Sequence, residues 1–180
     1  MKNVLIISSS FRKNGNSEAM ADAFMKGAGD AGHQVEKINL KGKKLNFCLG
    51  CLSCGTRMDG HCVQKDDADD IAQKIKESDV IVLVSPIYYY NISAQLKTVM
   101  DRANPIYYVD YKFRDVYLLT AATDDSSDTD RRAVETIGGW VECFDKSRLA
   151  GSLFCGGVTE TGDIIGNEIL NRAYQMGFNV

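Results

Sequence analysis

The chain has 180 residues, of which 44% are hydrophobic, and it carries a formal net charge of −3 with a pI near 5.4. A chain of this length can bury a sizeable core in one domain, and its hydrophobic content argues against disorder. A mildly acidic sequence without a basic stripe argues against nucleic acid as the main partner.

The sequence predicts neither a membrane span nor a secretion signal. Its longest apolar run, residues 80–84, is far too short to cross a bilayer, and the apolar run after Met1 is too short for the core of a signal peptide. We therefore expect a cytoplasmic protein that does not bind membranes. Because the cytoplasm is reducing, its six cysteines are expected to be thiols, metal ligands or redox groups rather than structural disulfides.

Short apolar runs and amphipathic segments alternate along the chain. The runs are rich in Val, Ile and Leu on consecutive positions, which is typical of strands buried on both faces. They predict five strands, at residues 3–8, 34–40, 80–85, 116–120 and 150–156. Apolar residues at helical spacing predict five helices, at residues 17–31, 68–78, 93–102, 130–146 and 164–176. The second strand is polar and is expected at an edge of the sheet.

This alternation of strand and helix predicts a parallel sheet with helices on both faces. Five such units fit the doubly wound, flavodoxin-like α/β fold with strand order 2-1-3-4-5, in which a ligand crevice forms at the carboxyl ends of the first and third strands. We expect a single domain over residues 1–180. The irregular segment after the second strand holds four cysteines and is interpreted as an insertion at about residues 46–65.

The loop after the first strand, residues 8–17, has the composition of a phosphate-binding loop. It reads Ser-Ser-Ser-Phe-Arg-Lys-Asn-Gly-Asn-Ser and leads directly into a helix. Backbone N–H groups and the positive end of the helix dipole then point at one spot, which favours an anion. A polar surface turn with a good N-cap is the alternative. The loop lacks the Gly-x-Gly-x-x-Gly pattern of dinucleotide sites, so a tightly held NAD is not expected.

The loop after the third strand, residues 85–93, contains three consecutive tyrosines. The doubly wound order places this loop beside residues 8–17. Aromatic faces and backbone amides suit a flat heteroaromatic ring; the alternative is that the tyrosines pack on the sheet edge or at a subunit interface. A phosphate loop beside an aromatic loop predicts FMN as the cofactor, with residues 120–123 near the pyrimidine edge of its ring.

Two separated motifs resemble those of a known family. Residues 9–17 are similar to the Gly-Ser-Pro-Arg-x-x-Gly-Asn-Ser/Thr phosphate loop of the NADPH-dependent FMN reductase and iron–sulfur flavoprotein families. Residues 85–88, followed by Ser93, Lys97 and the pair Asp101-Arg102, resemble their Ser-Pro-x-Tyr…Ser…Lys…Asp-Arg segment. The similarity covers nearly the whole chain.

The resemblance implies phosphate contacts from the first loop and ring contacts from the second and third. The expected cofactor-binding residues are Ser8, Ser10, Phe11, Arg12, Asn16, Ser17, Pro86, Ile87, Tyr88, Tyr89, Tyr90, Asn91, Thr120, Ala121, Ala122 and Thr123. Two positions depart from the family pattern. Ser9 stands where the family usually has Gly, and Phe11 stands where it has Pro and is expected against the ring or the ribityl chain.

Cys48, Cys51, Cys54 and Cys62 have the spacing C-x₂-C-x₂-C-x₇-C. Four thiolates this close in sequence can hold a [4Fe–4S] cluster or a zinc ion. A second zinc knuckle is missing, so the spacing favours iron–sulfur, and it resembles the compact motif of iron–sulfur flavoproteins. Related reductases carry a similar segment without a known cluster, and the alternative is therefore a group of redox-sensitive thiols near the flavin.

These residues predict an FMN-dependent oxidoreductase that passes electrons from NAD(P)H to a small acceptor such as a quinone or a flavin. Backbone N–H groups of the loops that contain Pro86 and Thr120 are expected to polarise the ring. No side chain is expected to act as a catalytic acid or base. Two alternatives are an electron relay between a [4Fe–4S] cluster, FMN and a ferredoxin-type partner, and a redox-sensing module. The resemblance also implies a homodimer or homotetramer.

Residues outside these motifs are given structural roles. Cys143 and Cys155 are predicted to be small core residues. Asp101 and Arg102 are predicted to form an ion pair that closes a helix.

Overall fold

The computed structural model describes all residues from Met1 to Val180 and contains a five-stranded sheet. Strands β1 to β5 span Asn3–Ser8, Gln34–Asn39, Val80–Pro86, Asp115–Ala121 and Arg148–Cys155. Their order is β2-β1-β3-β4-β5, and every neighbouring pair is parallel. The flavodoxin-like order predicted from the alternation of elements is thereby confirmed, with the polar strand β2 at an edge.

Six helices surround the sheet, and a 3₁₀ turn at Asn104–Tyr108 follows the fourth helix. Helices α1 to α6 span Asn16–Asp30, Ser53–Arg57, Asp67–Glu77, Ala94–Arg102, Arg131–Val141 and Ile169–Phe178. The side chains of Asp66 and Ser93 cap α3 and α4 by accepting backbone N–H groups of the first turn. None of the six helices combines the length and the hydrophobicity that crossing a membrane requires.

Two helix boundaries differ from the predicted ones. The helix expected over residues 130–146 ends at Val141 and is followed by turns. Cys143 lies in these turns and is exposed, so its prediction as a core residue is wrong. The helix expected from residue 164 begins later, because Gly162 and Gly166 adopt positive φ angles of 95° and 81° and keep the preceding segment in turns.

The sheet separates two apolar layers, because side chains alternate between the faces of each buried strand. Leu5 and Ile7 of β1 belong to the layer that includes residues of α3, α4 and α5. Val4 and Ile6 belong to the opposite layer, with residues of α1 and α6. Cys155 is buried in this second layer, as predicted.

Helices α1 and α6 approach each other backbone to backbone. A Cβ atom at Gly27 would lie 2.0 Å from the carbonyl oxygen of Tyr174, and one at Gly177 would lie 2.1 Å from the carbonyl oxygen of Phe24. Both distances are far below van der Waals contact, so only glycine fits at either position. The crossing holds α6, and with it the loop that precedes α6, against the helix that follows β1.

Candidate functional site

A cleft at the carboxyl edge of the sheet is formed by the loops that follow β1, β3, β4 and β5. Doubly wound folds bind ligands at this edge, where the connections from neighbouring strands diverge. Fourteen residues line the cleft: Ser10, Arg12, Gly15, Asn16, Ser17, Pro86, Ile87, Tyr88, Ala121, Ala122, Thr123, Val158, Thr159 and Thr161. Most of them carry a hydroxyl, amide or guanidinium group in the side chain, as a site for a polar cofactor requires.

Helix α1 begins at this cleft without a capping side chain. Gly15 occupies the N-cap position with φ −67° and ψ 160°, and no side chain accepts the N–H groups of the first turn. These groups need an external acceptor, and the helix dipole favours a negatively charged one. A Cβ atom at Gly15 would lie 2.9 Å from Ser10 Oγ and 3.2 Å from the carbonyl oxygen of Arg12, so a larger residue would crowd the loop here. With the buried hydroxyls of Ser10 and Ser17 nearby, the arrangement suits a phosphate group.

Arg12 and Asn16 bind the loop between β5 and α6. The guanidinium of Arg12 donates to the carbonyl oxygen of Thr159, and the side-chain amide of Asn16 donates to that of Glu160 over 2.9 Å. Asn16 Oδ1 also accepts from the N–H of Ile164 over 3.3 Å. The first loop of the chain is therefore attached to one of its last loops.

Asp163 stabilises this late loop from within. Its carboxylate accepts from the N–H groups of Thr159 and Glu160 over 2.8 and 2.7 Å, and these bonds lower the pKa of Asp163. The hydroxyl of Thr159 also donates to the hydroxyl of Thr123 over 3.2 Å. The carbonyl groups that face Arg12 and Asn16 are thus held in a defined position.

Three buried serines connect the loop after β1 to the loop after β3. Ser93 Oγ donates to Ser9 Oγ over 2.8 Å, and Ser9 Oγ donates to the carbonyl oxygen of Val84 over 3.0 Å. Ser85 Oγ accepts from the N–H of Ser93 over 2.9 Å. The serine at position 9 therefore makes a link that the family's usual glycine could not make, and this link fixes the spacing between the two loops.

Tyr89 and Tyr90 occupy the centre of a strained turn. Their φ angles are 50° and 64°, and Tyr88 and Asn91 exchange backbone hydrogen bonds on either side of them. Positive φ at both central positions describes a type I′ turn, which normally takes Asn or Gly. A bulky residue in the left-handed region costs on the order of 1–3 kcal/mol. Because the Tyr89 side chain is 98% exposed, this strain presents an aromatic ring to solvent beside the cleft.

Ten of the sixteen predicted cofactor-binding residues lie in the wall of the cleft. They are Ser10, Arg12, Asn16, Ser17, Pro86, Ile87, Tyr88, Ala121, Ala122 and Thr123. The other six, Ser8, Phe11, Tyr89, Tyr90, Asn91 and Thr120, do not line it. The tyrosine turn extends beyond the cleft wall, which leaves Tyr89, Tyr90 and Asn91 outside.

The remaining three exceptions have separate physical causes. The hydroxyl of Ser8 donates to the carboxylate of Glu18 instead of facing the cleft. Phe11 is exposed at the position where the family has Pro and does not line the cleft. Thr120 is fully buried in β4, where its hydroxyl donates to the carbonyl oxygen of Leu153 over 3.4 Å.

Some of the backbone N–H groups expected to polarise a ring are already bound within the protein. The N–H of Ile87 donates to the carbonyl oxygen of Ala121, and the N–H of Ala122 donates to that of Cys155, each over 2.9 Å. The N–H of Thr123 has no such partner. Thr123 is therefore the cleft residue of this loop whose backbone can still donate to a ligand.

The sequence reasoning missed Val158, Thr159 and Thr161, which line the cleft from the loop after β5. A signal was present, because every strand of a parallel sheet delivers its following loop to the same edge. The polar stretch from residue 159 to 162 follows a predicted strand directly. Its Thr and Gly residues match no phosphate or ring motif, so residue pattern alone does not mark the segment as part of a site.

The four cysteines of the irregular segment share one recess beside the end of α4. Cys48, Cys51, Cys54 and Cys62 all line it, together with Arg102 and other residues near the end of α4. Cys48 and Cys51 are exposed, whereas Cys54 and Cys62 are partly buried. Hydrogen bonds from the hydroxyl and N–H of Ser53 lower the pKa of the Cys51 thiol.

The four cysteines provide the type of ligand that an iron–sulfur cluster takes. No three of these side chains are close enough together to share one ion. A [4Fe–4S] cluster holds its four thiolates further apart, because iron and sulfide atoms lie between them. Four soft thiolates that line one recess are the ligand chemistry of an iron–sulfur cluster.

The predicted ion pair between Asp101 and Arg102 is wrong. Asp101 pairs with Lys97 one turn earlier on the exposed face of α4, whereas Arg102 points into the protein and pairs with Asp66. Consecutive residues on a helix do not face each other, so neighbours in sequence could not form this pair.

The chain matches the sequence pattern of the NADPH-dependent FMN reductase family over residues 2–137, which is more than half of its length. The chain belongs to this family. Membership of the FMN reductase family confirms the resemblance seen in the two loops. The family's description, an NADPH-dependent FMN reductase, is of the class of function that the two loops predict.

Curated relatives of this FMN reductase family member are iron–sulfur flavoproteins. One from Archaeoglobus fulgidus is 45% identical over 105 residues, which covers 58% of this chain and 46% of the relative. One from Methanocaldococcus jannaschii is 41% identical over 103 residues, which covers 57% of this chain and 52% of the relative. The chain spans about half the length of the curated relatives it matches.

Solved structures share the fold at low sequence identity. An NAD(P)H:quinone oxidoreductase from Methanothermobacter marburgensis superposes with a TM-score of 0.75 at 18% identity and covers 98% of this chain and 94% of its own. An azoreductase from Bacillus anthracis gives a TM-score of 0.75 at 16% identity, with full coverage of both chains. These likenesses place the FMN reductase family member among flavodoxin-like folds.

Proposed function

We propose that this protein is an FMN-dependent oxidoreductase that passes electrons from NAD(P)H to a small acceptor such as a quinone. The observation that carries the proposal is the cleft at the carboxyl edge, where an uncapped helix N-terminus meets the loop that contains Tyr88. In the overall reaction NAD(P)H, a proton and the quinone give NAD(P)⁺ and the quinol, so two electrons leave the nicotinamide and two enter the acceptor. Bound FMN supplies the hydride and electron chemistry of this reaction.

The protein's own residues bind and orient the cofactor. We assign the phosphate to the first turn of α1, with Ser10, Ser17, Arg12 and Asn16 around it. Arg12 is the one fixed positive charge among these four residues, and its remaining N–H groups would bind the phosphate while one keeps its bond to the carbonyl oxygen of Thr159.

The ring is assigned to the loops after β3 and β4, at the residues of these loops that line the cleft, 86–88 and 121–123. Pro86, Ile87 and Tyr88 offer apolar and aromatic surface, and the free N–H of Thr123 offers a donor to a polar ring edge. No side chain of the cleft is assigned an acid or base role, in keeping with the sequence expectation that the cofactor carries the chemistry.

The remaining proposals concern organisation. We propose one FMN-binding domain over residues 1–180, with a cysteine-rich insertion at about 46–65, that works in the cytoplasm as a homodimer or homotetramer. Exposed apolar side chains in and near the insertion, Phe47, Leu49, Leu52 and Tyr107, support contact with another chain.

The decisive test of the FMN site compares FMN with riboflavin, which has the same ring and no phosphate. We expect FMN to bind more tightly than riboflavin by at least about tenfold, because charge-assisted hydrogen bonds to a phosphate contribute about 1.5–3 kcal/mol each. Fluorescence quenching on titration measures both affinities. Arg12→Ala is expected to reduce the preference for FMN, while Lys13→Ala, in the same loop but outside the cleft wall, is the matched control. Equal affinities for the two flavins would contradict the phosphate assignment.

A second candidate function is an electron relay in which a [4Fe–4S] cluster accompanies FMN and a ferredoxin-type protein exchanges electrons with it. The recess lined by all four cysteines favours it. Anaerobic purification, reconstitution with iron and sulfide, and metal analysis test it, with about four iron atoms per chain expected for a cluster of this type. A chain that holds FMN but retains no iron after reconstitution would exclude the relay and leave the first function intact.

A further inference from the structure

Arg102 lies fully buried at the end of α4, with only 1% of its surface exposed. Its two terminal nitrogens donate to the two carboxylate oxygens of Asp66 over 2.7 Å each, a bidentate pair that fixes the plane of the guanidinium. One of them also donates to the carbonyl oxygen of Asn46 over 2.7 Å. The other terminal nitrogen also donates to Cys62 Sγ at 3.5 Å, whereas the buried Nε of Arg102 has no partner. Arg102 therefore contacts both ends of the cysteine segment.

The carboxylate of Asp66 makes two further hydrogen bonds, so Arg102 and Asp66 together form a clamp on the cysteine segment. The carboxylate accepts from the N–H of Asn46 over 2.8 Å and caps α3 through the N–H of Ala68. Removing one partner of a buried ion pair leaves an uncompensated charge, which typically costs about 3–5 kcal/mol. The Arg102–Asp66 pair therefore holds the irregular segment at both ends, at Asn46 and at Cys62.

A second donor comes from the same side of the recess. Two residues after Arg102, the side-chain amide of Asn104 donates to Cys54 Sγ over 3.0 Å. Cys54 and Cys62 are the two partly buried cysteines, whereas Cys48 and Cys51 are exposed. The end of α4 therefore contacts the inner pair of sulfurs and leaves the outer pair free.

We propose that Arg102 and Asn104 are positioning residues that hold Cys62 and Cys54 in the recess before a cluster is loaded and that donate hydrogen bonds to these two sulfurs afterwards. This inference deepens the second candidate function and rests on it. Partners of metal ligands orient those ligands, and their loss typically weakens metal binding by 10–100-fold. Hydrogen bonds to the sulfurs also set the reduction potential of a cluster, because they stabilise the more negative, reduced state.

Two variants of different severity test the proposal. Arg102→Lys keeps the positive charge but loses the planar fork that reaches Asp66, Asn46 and Cys62 together. Asn104→Ala removes one neutral donor without leaving a charge unpaired, so it keeps the test valid if Arg102→Lys fails to fold. Lys97→Ala is the matched control, because Lys97 lies on the exposed face of α4 and pairs only with Asp101.

Three measurements on the full chain follow. In reconstituted protein, iron release to a chelator is expected to be about tenfold faster in Arg102→Lys than in Lys97→Ala, and faster in Asn104→Ala as well. The midpoint potential of the cluster is expected to fall in both variants. In protein without iron, alkylation of Cys54 and Cys62, followed by peptide mass spectrometry, is expected to accelerate towards the rate of Cys48. FMN retention, measured by absorbance, is expected to stay unchanged.

The outcomes separate this inference from the function on which it rests. Rates and potentials in both variants equal to those of Lys97→Ala would overturn the positioning role while the cluster itself stands. A wild-type chain that retains no iron would exclude the cluster, and the alkylation rates would then decide alone whether Arg102 and Asn104 position the thiols.

Discussion

The backbone crossing of α1 and α6 makes a sharp prediction for Gly27→Ala. The new Cβ atom would lie 2.0 Å from the carbonyl oxygen of Tyr174, whereas ordinary contact begins near 3.4 Å, so the helices must separate by about 1.4 Å (3.4 − 2.0). Overpacking of this kind costs about 1–3 kcal/mol, and it outweighs the gain of up to about 1 kcal/mol that alanine brings to a helix interior. We expect a net loss of about 2 kcal/mol in the free energy of unfolding, or about 6 °C in melting temperature.

Gly29→Ala is the control, because it makes the same chemical change two residues later in the same helix. No atom lies within 4 Å of a Cβ placed at Gly29, so this variant gains helix propensity without a clash. It is expected to be more stable than wild type by about 0.5 kcal/mol. Urea unfolding with an unchanged m-value measures both effects. If the two variants shift the unfolding midpoint in the same direction by similar amounts, the close crossing does not exist as described.

Three further predictions concern the loops and the clamp. Ser93→Ala removes a helix cap and the link to Ser9, so it is expected to lower the free energy of unfolding by about 2 kcal/mol and to weaken FMN binding. Ser9→Ala keeps the cap and should lower the free energy of unfolding by about 1 kcal/mol. Equal losses in the two variants would contradict the chain of hydrogen bonds. Tyr89→Asn is expected to raise stability by about 1 kcal/mol, because Asn tolerates the left-handed region and the exposed ring has little packing to lose, and a lower urea midpoint would refute this. Burial raises the pKa of the Asp66 carboxyl, but hydrogen bonds from Arg102 and backbone N–H groups outweigh burial and hold this pKa below its ordinary value. The contribution of Asp66 to the free energy of unfolding should therefore be present above about pH 4 and decline as the pH falls further. Asp66→Asn should flatten the fall in urea midpoint on acidification.

The sheet could be predicted because its signal is local. Each buried strand is a run of apolar residues, and the alternation with amphipathic segments leaves few topologies open. The ends of helices were harder to predict, because apolar residues continue at helical spacing through residue 144 while the chain has already turned at Val141. Packing rather than pattern decides where such a helix ends.

The cleft was predictable in part for the same reason. The loops after β1 and β3 carry recognisable side-chain patterns. Together with the loop after β4, they supply the ten predicted residues that lie in the wall of the cleft. The loop after β5 joins them through the carbonyl groups of Thr159 and Glu160, and a backbone carbonyl is present at every position of every sequence. A contact to a backbone carbonyl therefore cannot be predicted from a residue pattern.

The partner of Arg102 shows a further limit. Asp101 is its neighbour in sequence, and Asp66 lies 36 positions earlier. Only the folded arrangement of α3 and α4 reveals which of the two carboxylates the guanidinium meets. Pairings across this distance depend on helix rotation, which the sequence specifies only through the whole core.

The bond between Arg12 and Thr159 spans 147 positions along the chain. During translation, the phosphate loop with Arg12 leaves the ribosome early. The loop with Thr159, which binds it, leaves only near the end. Until then, the N-terminal units can begin to form their sheet, but the guanidinium and its carbonyl partner are not both available. Loading of the flavin would therefore be a late event in biogenesis, and a chain interrupted after β4 would keep much of its sheet yet release its cofactor readily.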